Sequence, residues 1–259
     1  MNPMINPNNT IRFSGYDLKM IALITMLIDH IGAVILWRYM NATGMMSGWV
    51  FTEYELIRYV GRMAFPIYCF LLVEGFLHTR NVKKYALRLG IFALISEIPF
   101  DLAISGKIWM PQSSNVFFTL MIGLLLIWSV SYLEKFYEFW KEKELDAFIG
   151  GLATAAIGIL MVVPAIYIAE VILGSDYGIG GVLAILILYL CRSNRYLAFV
   201  MAIIALYIFA GASEILALVM LYPISYYDGS RGKEVKYFFY AFYPVHLLIL
   251  AFVCMVIGV

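Results

Sequence analysis

The residues with most chemistry to offer are those that an apolar surrounding penalises. Asp29 and His30 lie well inside the apolar run from Leu18 to Trp37. Ionisable groups at membrane depth are costly unless they meet partners or water, and they mark function by default. His30 stands eleven residues after Lys19. Eleven helical steps of about 100° return to nearly the same face, with a rise of about 16 Å. Lys19 then sits at one mouth of the membrane and His30 near its middle. A long, thin ligand with an anionic head would set its phosphates at Lys19 and its reactive end at His30, where an imidazole serves as a general base. Asp29 points away from its chain neighbour, so it meets another helix or flanks the same cavity. A structural Asp–His knot between helices is the competing reading.

Other polar residues recur at similar depth. Arg58 and Arg62 share a face and suit a carboxylate or phosphate; an interfacial anchor is the plainer reading of Arg58. Glu74 and His78 are also four apart, and Pro66 between the two pairs predicts a kink. Glu97 and Asp101 flank Pro99, and either is placed to orient the His30 imidazole or to neutralise Arg62. His246 follows Tyr243 by three residues, at a depth close to that of His30. Glu170, Asp176 and Tyr177 fall near an outer turn. The turn from Tyr227 to Lys233 carries Arg231 and Lys233 between glycines, a nest for a phosphate or an ordinary basic inner loop.

The elements that must hold these residues are membrane helices. The chain is 63% hydrophobic and 14% charged, against about 45–50% and roughly 25% in soluble domains. A net charge of +1 offers no field for nucleic acid. Cys69, Cys191 and Cys254 are too scattered for a disulfide framework or a zinc site. The polar residues 1–16 and the long run after them do not read as a cleaved signal peptide. With about 20 apolar residues per crossing, nine spans are expected: 18–37, 57–77, 86–104, 116–133, 147–169, 177–190, 196–210, 212–226 and 237–257. Three of these are short, which leaves eight open. The stretch from Glu134 to Asp146 reads as a solvated loop. Nine spans with the N-terminus inside put fourteen of the eighteen Lys and Arg in the cytoplasm, as positive-inside orientation requires. The C-terminus is then outside. The expected architecture is an all-α, polytopic bundle, a single domain over residues 1–259, enclosing a polar cavity open to the cytoplasm. No P-loop, dinucleotide fingerprint, HExxH or GxSxG occurs, so neither a metal nor a redox cofactor is expected.

Several of these stretches carry a resemblance. The run from Asp17 through Lys19 to Asp29-His30-Ile31-Gly32 resembles the opening of the TraX conjugal-transfer family. So do Gly61-Arg62-Met63-Ala64-Phe65-Pro66, Glu74-Gly75-Phe76, Ser96-Glu97-Ile98-Pro99-Phe100-Asp101, Asn115-Val116-Phe117-Phe118-Thr119, and Lys236-Tyr237-Phe238-Phe239-Tyr240 with Tyr243-Pro244-Val245-His246. The best-known member of that family acetylates the N-terminus of a conjugative pilin. The resemblance implies a membrane acetyltransferase fed by acetyl-coenzyme A. Lys19-x10-His30 is similar, more distantly, to the Arg-x10-His pattern of membrane acyltransferases that modify cell-surface sugars. Lysine keeps the charge there and loses the bidentate fork.

The combined expectation is acyl transfer in the cytoplasmic membrane. The donor's phosphates meet Lys19, with Arg231 and Lys233 as further contacts. His30 is the base, or the carrier of a transient acyl group. Asp29, Glu97 or Asp101 fixes its tautomer, His246 is a second catalytic candidate, Glu74 joins the supporting polar network, and Arg62 or Tyr243 faces the developing oxyanion. The expected acceptor is a pilin subunit or cell-envelope molecule. A proton-coupled transporter and a non-enzymatic membrane chaperone are the other classes open.

Overall fold

Several helix ends have a local cause in the sequence. The computed structural model describes residues 12–142 and 147–259; residues 1–11 and 143–146 lie outside them. Helix α1 (Gly15–His30) opens on a capping box, in which the Ser14 hydroxyl accepts from the Asp17 amide and the Asp17 carboxylate accepts from the Ser14 amide at 2.8 Å. It runs into a π-helical segment, Ile31–Leu36, and then α2 (Trp37–Thr43), which ends on Gly44 in the left-handed region. Arg38 on α2 donates to the carbonyls of Leu102 and Ala103, at 2.5 and 2.6 Å. Those carbonyls belong to the last turn of α5 (Val82–Ser105), whose other end is capped by Asn81. Last-turn carbonyls lack intrahelical donors, and a cation is favoured there.

Helices α3 (Trp49–Gly61) and α4 (Ala64–His78) are separated by a break at Arg62 and Met63. The break precedes Pro66, which stands in the first turn of α4, where no amide is needed. The expected mid-span kink is therefore a helix start. Helices α6 (Val116–Glu142) and α7 (Ala147–Tyr167) follow, α7 continuing as a π-helical segment over Ile168–Ile172. Glu134 to Glu142 thus lengthens α6 and is not the solvated loop expected; residues 143–146 lie outside the described set. Next come α8 (Gly178–Leu190), α9 (Arg195–Phe209), a 3-10 segment (Ala212–Met220) joined to α10 (Leu221–Ser225), and α11 (Lys236–Ile257).

No named strand occurs among the described residues, and the all-helical expectation holds. Nine helical stretches there correspond to the nine expected segments. Five are long and apolar enough to cross a membrane: Gly15–Thr43, Trp49–His78, Val116–Glu138, Gly150–Ile172 and Tyr237–Ile257. Three shorter apolar stretches, Gly178–Leu190, Arg195–Phe209 and Ala212–Ser225, accompany them. At 1.5 Å per residue, 13-residue α8 reaches roughly 20 Å, short of a hydrocarbon core of about 30 Å. It is buried instead, with Val182, Ala184 and Ile185 fully enclosed among α4, α6 and α9. Helix α7 is peripheral and turns Ile159, Leu160 and Val163 outward. In water such a face would be an aggregation liability; in lipid it is ordinary. Helix α11 packs along α5 and against α1 and its π segment, which brings two distant histidines together.

Candidate functional site

His30 ends α1 and His246 lies midway along α11, one turn after Phe242. His30 Nδ1 and His246 Nε2 are 2.7 Å apart, and His246 Nδ1 is 2.7 Å from the Phe242 carbonyl oxygen. A carbonyl only accepts, so His246 Nδ1 carries the proton and donates. In the neutral tautomer its Nε2 then accepts, and His30 Nδ1 must donate to it. That assignment leaves the lone pair of neutral His30 on Nε2. Both rings are buried, 8% and 4% exposed. Tyr243 sets its ring edge-on to each imidazole, at 5.9 and 5.6 Å between centroids, and its buried hydroxyl donates to no acceptor.

Asp29 faces away from His30, as adjacent helical residues do. Its carboxylate accepts from Arg58 Nη1 at 2.6 Å and from Arg62 Nη2 at 3.4 Å. The approach depends on Gly61, where a Cβ would overlap the Asp29 carboxylate. Arg62 Nη1 reaches Glu214 Oε1 at 2.9 Å, and Arg62 Nε donates to the Arg58 carbonyl. Glu214 is fully buried in the 3-10 segment. Sequence reasoning missed it, although an acidic residue within an expected apolar span is the same signal that picked out Asp29. A network of Asp29, Arg58, Arg62 and Glu214 thus joins α1, α3 and the 3-10 segment.

Three expectations need correction. Glu97 neither neutralises Arg62 nor orients His30, because its Oε2 accepts from the amide and side chain of Asn115, at 3.2 and 2.5 Å. Asp101 is likewise occupied, accepting from the Met110 amide at 2.7 Å. Both carboxylates hold the connection that folds back after α5. The His30 tautomer is held by His246, and not by Asp29, Glu97 or Asp101. The stripe of α1 between Lys19 and His30 is no open groove either, since Ala22 and Met26 on it, with neighbouring Leu23, are packed into the core.

A cavity of about 440 Å³ does meet His30, lined among others by Asp29, Arg58, Arg62, Glu170, Asp176 and Tyr177. Trp37 and Tyr54 add aromatic wall, and Tyr177 stacks on Phe65 at 3.6 Å. Glu170 accepts from the Ile179 amide at 3.0 Å. The cavity lies where α1, α5 and α9 finish, at the end opposite Lys19. With the expected orientation this is the outer face, where a cytoplasmic opening was expected.

Further cations lie at the Lys19 end. Lys19 Nζ lies 5.6 Å over the Phe239 ring and Lys233 Nζ 5.6 Å over the Tyr16 ring. The turn bearing Arg231 and Lys233 is tied to α1, because Ser230 accepts from the Gly15 amide at 2.8 Å. Asp228 in this turn accepts from the Ser230 amide, and Ser230 holds its carboxyl below the usual carboxylate range. Glu74 stays with its helical neighbour His78. The structure therefore assembles two groups, His30 with His246, Tyr243 and the arginine–carboxylate network, and Lys19 with Lys233 near Arg231. Glu97, Asp101 and Glu74 belong to neither. Among the described residues no cluster of His, Cys, Asp and Glu is arranged to hold a metal.

Residues 14–254 match the family model described as TraX protein. The chain is also 28% identical, over 273 residues, to the "Probable fimbrial assembly protein FimC, serogroup H1" of Dichelobacter nodosus, covering 94% of this chain and 96% of that one. No solved structure matches it.

Proposed function

Since this chain belongs to the TraX family, we propose that it is a multi-pass acyltransferase of the cytoplasmic membrane, N-terminus inside. Its substrates are acetyl-coenzyme A and an amine or hydroxyl acceptor on a pilin, a fimbrial subunit or another cell-envelope molecule. The similarity to a fimbrial assembly protein supports the pilus setting. The observation that carries the chemistry is the chain Phe242 carbonyl, His246, His30. It holds an imidazole with its basic nitrogen unused beside a polar cavity, which is what a general base needs.

In this reading the donor binds from the Lys19 side, with Arg231 and Lys233 near its phosphates, and the acceptor enters the cavity at the opposite end. His30 Nε2 takes a proton from the acceptor as the acceptor attacks the thioester carbonyl. The tetrahedral oxyanion meets the Tyr243 hydroxyl, whose proton has no other acceptor. The carbon–sulfur bond then breaks, and the His30 imidazolium returns its proton to the departing thiolate. Asp29, Arg58, Arg62 and Glu214 fix the cavity wall. Arg62 already serves two carboxylates, so Tyr243 is the better placed of the two oxyanion donors first considered.

The test is transfer of label from acetyl-coenzyme A to a subunit peptide by the purified protein in detergent. His30→Ala should fold, bind coenzyme A and lose about 10²–10⁴ in transfer rate. A folded His30→Ala protein with wild-type transfer would sink the mechanism. A proton or solute flux that depends on His30, with no transfer by the wild type, would put a transporter in its place.

A further inference from the structure

A buried polar atom without a partner in a native fold asks for an explanation, and an absent ligand is one. Three such atoms lie on α5 and α11, which pack along each other: Arg88 Nε, Ser96 Oγ and Tyr243 Oη. Arg88 is the informative one. Among the described residues Arg58, Arg62 and Arg192 each pair with a carboxylate, and Arg88 pairs with none. Its guanidinium lies 5.7 Å over the Tyr85 ring, with the Tyr240 phenol beside it. It stands in the second turn of α5, at the end of the bundle that carries Lys19 and Lys233.

From this arginine a column of rings leads to the histidines. Phe92, one turn beyond Arg88, stacks on Tyr240 at 4.8 Å. Phe117 contacts Tyr240 and then Tyr243, at 6.1 and 5.1 Å. Tyr243 meets His30 edge-on at 5.9 Å. Tyr240 and His246 are six residues apart, a rise of about 9 Å along α11. Side chains pack both the Lys19–His30 stripe of α1 and this seam; the seam differs in having a cation at its mouth and hydroxyls with no acceptor farther in.

We propose that Arg88 binds the phosphate end of the acyl donor, whose thioester-bearing arm parts the rings between α5 and α11 to reach the histidine pair. The proposal rests on the acyltransferase reading and adds a residue and a route to it. A guanidinium forks onto phosphate, and an arm that is uncharged but rich in amides suits aromatic walls with the Ser96 and Tyr243 hydroxyls.

The experiment is calorimetric titration of the full-length protein in detergent with coenzyme A and, separately, with pantetheine, which lacks the phosphates. Arg88→Gln should weaken coenzyme A binding at least tenfold and leave pantetheine binding unchanged. Arg80→Ala, an exposed cation at the same end, should alter neither. If Arg88→Gln does not fold, Arg88→Lys keeps the charge without the fork and should show the same selective loss to a smaller degree. Unchanged coenzyme A affinity, or equal losses for both ligands, overturns the role of Arg88 while the wild-type binding preserves the wider reading. A wild-type protein that binds no coenzyme A overturns both.

Discussion

Removing the His246 ring tests whether the tautomer of His30 is set as the geometry requires. His246→Ala takes away the acceptor 2.7 Å from His30 Nδ1, in a place where both rings are buried. A buried donor left unsatisfied costs about 1–3 kcal/mol. His30 avoids that cost by moving its proton to Nε2, which is then no longer a base. Restoring the reactive tautomer raises the barrier by the same amount, a loss of about 5- to 150-fold in rate. His30→Ala, which removes the base itself, should be worse. His246→Gln, with a side-chain oxygen to accept from Nδ1, should recover part of the loss. Two measurements check this: label transfer from acetyl-coenzyme A, and ¹⁵N chemical shifts of the histidine rings, which report the protonated nitrogen. Wild-type transfer by a folded His246→Ala protein, with the His30 proton still on Nδ1, would refute the reasoning.

Further outcomes follow from the packing and the charge pattern. Gly61→Ala drives a methyl into the Asp29 carboxylate and should lower stability by about 1–3 kcal/mol, read as an earlier melting transition in detergent; an unshifted melt would mean that the α1–α3 approach is not tight. Arg62→Ala strands Glu214, which has no exposed surface, and should cost about 3–5 kcal/mol. The double variant with Glu214→Ala should be more stable than Arg62→Ala alone, and a double variant that is worse would reject the ion pair as the cause. Reporters fused after Gly106, Asp146 and Val259 should lie outside, inside and outside, as nine crossings require; a cytoplasmic reporter at the C-terminus would exclude that number.

The helical stretches were legible because a membrane demands long apolar runs, and neither α8 nor the 3-10 segment hides its composition. Their packing was less so. His30 and His246 were identifiable separately as ionisable residues at depth, but their contact spans 216 positions and depends on the crossing of α11 with α1. Glu97 and Asp101 gave the same depth signal and do another job. Their partners are Asn115 and Met110, in a connection whose backbone path no periodicity reveals. Glu214 carried the signal as well, but its partner Arg62 lies 152 positions away. The break between α3 and α4 was visible only as Gly61 followed by Pro66, which fits a kink as readily as a new helix start.

The π segment after His30 separates two requirements that a regular helix would have to meet at once. Upstream, α1 must present His30 to α11; downstream, α2 must present Arg38 to the last carbonyls of α5. A π turn holds about one residue more than the 3.6 of an α turn, so the segment absorbs an extra residue without turning the helix beyond it. Deleting one residue within Ile31–Leu36 would let the helix relax to α geometry and leave Arg38 facing the end of α5 as before. Both contacts could then still form. This stretch is where a one-residue gap between relatives would be absorbed while every residue of the histidine relay stayed in place.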